Sequence, residues 1–382
     1  MKQKKFIEIL KHVARILIGI TFVFSGFVKG IDPWGSSYKF TDYFHAMSLD
    51  WMVPLAFVCG ILLAFSEFII GVTHLFAVKL KFFSWGSLIY MLFFTPVTLW
   101  IALKNPVSDC GCFGDALVIS NWGTFYKNIV LLLLAVVVVI YRKEIICFGG
   151  VKAGLVLASL AVLVYVTAAG YSYLHEPLFD FRPFKVGVNI QEGMTIPADA
   201  PKDVFENTFY YKNKKTGKVE KFTEKNYPWQ DTINWEFSKM DESVLVSKGY
   251  TPPIHGFSIE TRDGDNVYDF FLNDDNYVFM LIAYNLDKSS LKNQGKINEL
   301  AKWAKSQNYQ FICLTSSVFE KSDQFGIKHE TPYEFFNCDE TALKTMIRSN
   351  PGLIVLKKGT IIAKYHFNDI PTPEGFARKF LK

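Results

Sequence analysis

Charge is what this sequence has least of. Only 20% of its 382 residues are charged, 50% are hydrophobic, and the mean hydropathy is +0.17. That balance is too apolar for a typical soluble enzyme of this length. The 25 glycines and 15 prolines are too few for a collagen-like or low-complexity chain, and the apolar content excludes disorder. There is no Lys/Arg-rich run and no basic stripe interleaved with aromatics. The formal net charge of +5 is therefore not a nucleic-acid signal, and no nucleic-acid partner is expected. The basic start, Met1 to Lys5, does not read as a cleaved leader. Glu8, Lys11, His12 and Arg15 precede the apolar run, and KGIDP at Lys29–Pro33 offers no small-residue cleavage site. A retained helix is expected there.

The averages conceal two different parts. Residues 1–173 hold 14 Lys and Arg against 8 Asp and Glu, whereas the remainder holds 27 against 28. The first part reads as membrane and the second as a soluble domain. A spanning helix needs roughly 20 mostly apolar residues. Five runs approach that length: Val13–Lys29, Met52–Val78, Phe82–Leu103 with Pro96 as a kink, Phe125–Tyr141 and Ala153–Tyr173. Basic residues gather before the first run (Lys2, Lys4, Lys5, Lys11, Arg15), between the second and third (Lys79, Lys81), and between the fourth and fifth (Arg142, Lys143, Lys152). By the positive-inside rule the N-terminus is cytoplasmic, and five crossings place the large C-terminal domain outside.

The chemical signal is Asp109-Cys110-Gly111-Cys112-Phe113-Gly114-Asp115, between the third and fourth runs on the expected outer face. Cysteines outside the cytoplasm tend to be oxidised. A bridge between residues i and i+2 must distort, and strain makes it easier to reduce, which suits exchange rather than stapling. Gly111 and Gly114 permit a sharp backbone. Asp109 and Asp115 are expected to raise the thiol pKa values. The other reading is a tight re-entrant loop with two packed cysteines. Soft thiolates select Cu(I), and His45 and Met47 in the other outer loop could complete such a site, but no spacing assigns a metal. Glu67 lies inside the second run, where a carboxylate is a functional hypothesis by default. His74 is on a similar face, Gly71 makes room for a neighbouring helix, and Arg15 is a candidate partner for Glu67. A buried structural ion pair is the plainer reading. Gly19, Gly26 and Gly30 read as close helix packing.

These residues carry a resemblance. Arg15-x3-Gly19, Phe24-Ser25-Gly26-x2-Lys29 and Asp32-Pro33 resemble the start of DoxX-like membrane proteins, and Glu67-x3-Gly71 their second helix. Cys110-Gly111-Cys112-Phe113-Gly114 is similar to the cysteine motif of the MauE branch. The resemblance covers about residues 10–145 and implies a four-helix membrane bundle associated with redox processes. MauE proteins are implicated in methylamine utilisation through disulfide formation in a partner enzyme. DoxX-like proteins are tied in some cases to quinone-linked chemistry. The fifth run is extra and is expected to anchor the C-terminal domain.

The region from His175 to about Tyr250 is rich in aromatics and turn residues, with short strands expected at Val204–Tyr211 and Val219–Thr223 and a packed loop at Tyr227–Trp229. From Gly249 the pattern sharpens. Strands are expected at Tyr277–Tyr284, Tyr309–Thr315 and Tyr333–Phe336, and a hairpin at Gly352–Leu356 and Thr360–Phe367. Helices are expected at Leu291–Gln307, after Asp339, and from Pro373. The order β-α-β-α-β-β-α is an α/β sandwich with a mixed sheet. It resembles the thioredoxin fold of TlpA-like periplasmic proteins from about Pro252 to Lys382, with Asn350-Pro351-Gly352 at the cis-proline position. The Cys-x-x-Cys of that family is absent: Asn285 to Ser290 stands there without a cysteine. Cys313, Cys338, Cys59 and Cys147 read as structural, with Cys338 the better placed for activation before a helix.

The expected division is a membrane bundle at 1–148, a fifth transmembrane helix at 149–175, a β-rich connection at 176–250 and a degenerate thioredoxin-like domain at 251–382. The expected function is redox-associated, with Cys110 and Cys112 as the reactive pair and Glu67 managing a proton or shaping a quinone pocket. At most the chain is a thiol-disulfide or quinone-linked oxidoreductase component. Its expected place is a bacterial inner membrane, and its partners the lipid bilayer and a periplasmic redox or client protein. A non-catalytic scaffold and a small-molecule carrier are the competing classes.

Overall fold

The structure is a computed structural model. It describes every residue except 1, 108, 147–149, 242, 248 and 382, together with the side chains of 2, 244 and 245. Cys147 therefore lies outside the described residues. The chain forms two compact units, Met1–Val188 with Phe257–Lys382, and Asn189–Gly256.

The N-terminal part is helical: α1 (Lys2–Gly30), α2 (Pro33–Ala46), α3 (Ala56–Phe76), α4 (Leu80–Lys104), α5 (Asn121–Tyr141) and α6 (Gly150–Leu174). Asp32 caps α2 by accepting from the Gly35 amide, and Pro33 fills the first helical position, where a missing N–H costs nothing. Asp50–Phe76, α4, α5 and α6 are long and apolar enough to cross a membrane. Among the described residues, four of the five expected spans meet that test of length and composition. α1, at 29 residues, carries the first expected run, Val13–Lys29, in its C-terminal part.

Glycine sets the closest helix pair. A Cβ on Gly26 of α1 would lie 2.5 Å from the Phe68 nitrogen, and one on Gly71 of α3 2.4 Å from the Val23 nitrogen. The two backbones touch, as small residues allow in membrane bundles. Behind this pair Ile18, Met91, Leu131, Ala135 and Val138 form a buried apolar core shared by α1, α4 and α5. Tyr165 of α6 stacks on Phe68 at 4.4 Å, while Val156, Leu160, Leu163 and Val164 are exposed, as on a helix bathed in lipid.

The second unit holds α7 (Ile190–Met194), a two-stranded pairing of β1 (Val204–Glu206) with β5 (Val244–Ser247), and an antiparallel sheet. In that sheet β2 (Thr208–Asn213) lies between β3 (Val219–Thr223) and β4 (Trp235–Met240). The strands expected around Lys214–Gly217 are present, and Tyr227 stacks on Phe209 at 4.6 Å.

The C-terminal domain comprises α8 (Tyr268–Leu272), β6 (Tyr277–Ile282), α9 (Gln294–Ser306), β7 (Gln310–Thr315), α10 (Phe319–His329), β8 (Glu334–Asn337), α11 (Glu340–Met346), β9 (Gly352–Lys357), β10 (Thr360–His366) and α12 (Pro373–Phe380). Its sheet runs β10-β9-β6-β7-β8, with β6, β7 and β8 parallel and β9 antiparallel to both neighbours. Every residue of β6 is buried, the mark of a central strand covered on both faces. Phe279, Leu300, Phe311 and Phe376 are in its core, and the Asn350–Pro351 peptide bond is cis.

Candidate functional site

The expected cysteine pair comes together in a sharp loop. Gly111 and Gly114 adopt φ of +62° and +52°, the left-handed region that glycine enters freely, and the Gly114 amide donates to the Gly111 carbonyl. The two Sγ atoms are 2.9 Å apart. Both thiols are half-buried.

The loop is tucked against the bundle. Tyr43 of α2 donates to the Cys110 carbonyl at 2.5 Å, and the Ser25 hydroxyl of α1 lies 2.7 Å from the Cys112 carbonyl. Lys39 of α2 pairs with Asp109 at 2.8 Å. Lys127 of α5 sits 4.3 Å over the Phe113 ring, which in turn packs against Phe24. Irregular backbone near a membrane is tolerated where protein groups satisfy its polar atoms, and these contacts do so.

Glu67 lies directly behind Ser25. Its Oε2 is 2.9 Å from the Ser25 hydroxyl, and Lys29 contacts Oε1 and Oε2 at 2.9 and 2.8 Å. The expected Arg15–Glu67 pair is not made. Arg15 and Lys29 are separated by roughly 21 Å along α1, since a helix rises about 1.5 Å per residue. Only Lys29 reaches the depth of Glu67. Arg15 instead donates to the carbonyls of His74 and Leu75, at the far end of α3. His74 is buried between the Ile70 carbonyl and the Ser87 hydroxyl and does not join Glu67. Lys29 and Ser25 occupy the carboxylate, and backbone closes the space between α1 and α3.

The expected rise in thiol pKa is found at Cys110 but not at Cys112. Cys112 is pushed down to about 6, first by its hydrogen bond with Cys110 and then, against burial, by Lys127 and Lys29. Cys110 is pushed up by the same contact and by burial. The flanking carboxylates do not dominate, because Lys39 holds Asp109 and Arg348 pairs with Asp115 at 3.1 Å. Burial raises Cys313, and it raises Cys338 to about 11, so both are poor nucleophiles. Cys59 is half-buried within α3.

His45 bonds Asp50 at 2.6 Å on the exposed surface, and no group of three or more His, Cys, Asp or Glu residues is placed to hold a metal among the described residues. An open cavity of about 310 Å³ there is lined by Asp42, His45, Ala46, Pro106 and Val107.

Residues 7–141 match the family of the methylamine utilisation protein MauE. This MauE-like region takes in α1 to α5, the cysteine loop and Glu67. Its apolar helices mark a membrane protein associated with a lipid bilayer, similar to MauE over this region. Residues 205–248 match a domain of unknown function, DUF8463. Neither the curated proteins nor the solved structures contain a match to the chain.

Several site residues escape sequence reasoning. Lys127 carried a usable signal, a cation six residues into an apolar helix. Tyr43, Lys39 and Arg348 carried none, because their partners are distant in sequence.

Proposed function

We propose that the chain is a membrane thiol oxidant, in which the Cys110–Cys112 pair accepts two electrons from a client dithiol on the outer face. The observation that carries this reading is the sulfur pair at 2.9 Å with cationic Lys127 and Lys29 on the Cys112 side. Stabilising the reduced thiolate favours transfer of the disulfide to a client, and a strained i,i+2 bridge acts in the same direction. The sulfur of lower pKa leaves more readily. A client thiolate therefore attacks Cys110 and Cys112 departs as thiolate. The client's second thiolate then attacks the client sulfur of the mixed disulfide and releases Cys110. Two electrons enter the pair, and one disulfide forms in the client.

Glu67 acts here as a positioning residue that holds Lys29 and Ser25 beneath the loop. The C-terminal domain is read as thioredoxin-like, a reading supported by its strand order and by the cis bond before β9. Asn285 to Ser290 provide no thiol for chemistry of its own. The methylamine utilisation context of the family makes a periplasmic enzyme a reasonable client.

The test uses the full chain in membranes. A client that keeps only one of its two thiols is expected to accumulate as a mixed disulfide on Cys110, and Cys110→Ser/Cys112→Ser to abolish client oxidation. Full activity in the double variant would sink the proposal.

A further inference from the structure

The loop from Asp109 to Asp115 is held at four points. Lys39 binds Asp109 at 2.8 Å, Tyr43 the Cys110 carbonyl at 2.5 Å and Ser25 the Cys112 carbonyl at 2.7 Å. These three come from the bundle. The fourth hold comes from the C-terminal domain: Arg348, just beyond α11, reaches Asp115 at 3.1 Å. The same guanidinium takes Asp32, the cap of α2, at 2.9 and 3.0 Å from its Nε and lies 5.4 Å over the Tyr38 ring. Arg348 is 7% exposed. A buried arginine shared by two carboxylates on two different segments has few other states open to it, because removing either partner leaves charge buried.

We propose that Arg348 is a positioning residue for the cysteine pair, through which the C-terminal domain fixes the reactive loop by Asp115 and the start of α2 by Asp32. α2 also supplies Tyr43 and Lys39, so this one side chain bears on three of the four holds. The domain thus completes a thiol site in the bundle while bringing no thiol to it. The inference rests on Cys110 and Cys112 being the reactive pair.

The charged and titratable groups facing Cys112 are Lys29 and Glu67 from α1 and α3, Lys127 from α5, and Cys110 on its own loop. Asp109 and Asp115 flank it, countered by Lys39 and Arg348. Without Arg348 the Asp115 carboxylate, three residues from the thiol, loses its nearest counter-charge and disfavours the thiolate.

The experiment measures alkylation of Cys112 against pH, read at that peptide by mass spectrometry, in the full-length Cys110→Ser protein in detergent. The midpoint reports charge, and the plateau at high pH reports access. Arg348→Gln is expected to raise the midpoint by roughly half a pH unit, about threefold less thiolate below it, and to raise the plateau severalfold. Arg348→Lys restores part of both. Asp115→Asn, which leaves the Arg348–Asp32 pair in place, raises the plateau without raising the midpoint. In the double variant the midpoint returns toward the parent. An unchanged midpoint and plateau in Arg348→Gln would overturn the proposal. Should that variant not fold, an unchanged plateau in Asp115→Asn does the same. The readout involves no client, so it can fail while client oxidation survives, and the reverse.

Discussion

Lys29 shows how a single side chain fixes the meaning of another. Glu67 stands out in the sequence because a carboxylate inside an apolar run is rare, and by itself it invites a proton-handling role. With Lys29 at 2.8 Å it is half of a buried ion pair that shores up the cysteine loop. Breaking one side of such a pair costs about 3–5 kcal/mol, because the other charge is left buried. Glu67→Gln should therefore lower the thermal midpoint sharply, and Lys29→Met added to it should recover much of the loss. Equal destabilisation in the double variant would refute the pairing. Cys112 is the second case at this scale. Its thiol is held near pH 6, below the ordinary thiol value of about 8.5, so its thiolate predominates above pH 6 and disappears as pH falls through that value. Alkylation of Cys112 should climb through pH 6 and be nearly level by pH 7.5. A midpoint near 8.5 would show that neither the hydrogen bond with Cys110 nor Lys127 and Lys29 hold it down. The pair itself was legible from CGC and two glycines. The direction of its pKa shift was not, since only folding shows which carboxylates are neutralised.

At the level of elements, long apolar runs and strands of strong pattern were legible, and weakly patterned helices were not. β6, β7, the β9–β10 hairpin, the Asp339 cap and the helix start at Pro373 stand where the sequence puts them. α10 buries only Ser322 and leaves no apolar stripe to read. α2 is mixed aromatic and polar, although Asp32-Pro33 announced its start. The glycine reading of α1 rests on backbone contact and is open to a paired test. Gly26→Ala drives a methyl group into the Phe68 and Ala64 backbone, which cannot rotate away, and should fall at the upper end of the roughly 1–3 kcal/mol typical of overpacking. Gly170→Ala in α6 meets nothing within 4 Å and should be neutral or slightly stabilising in the same thermal assay.

For the whole molecule, one consistent path supports the proposed topology. Asp32, the cysteine loop and Arg348 meet on one side, whereas Lys11 meets Glu144 at the opposite end of the bundle. Five crossings, the number expected from the sequence, would satisfy both groupings, and the basic residues collect on the Lys11 side. A membrane-impermeant thiol reagent applied to intact cells should modify Cys110 and Cys112 and should reach Cys147 only after permeabilisation. The reverse pattern would invert the orientation.

The clamp on Asp115 has a consequence for biogenesis. Ser25, Tyr43 and the cysteines precede Arg348 by more than 200 residues and so leave the ribosome before it, and on the proposed topology Arg348 belongs to a domain that crosses the bilayer before it folds. A nascent or truncated chain therefore carries its cysteines without the final restraint on them. If Arg348 is that restraint, the thiol site is finished only when the C-terminal domain has been delivered and has docked, so quality control of that domain would double as licensing of the chemistry.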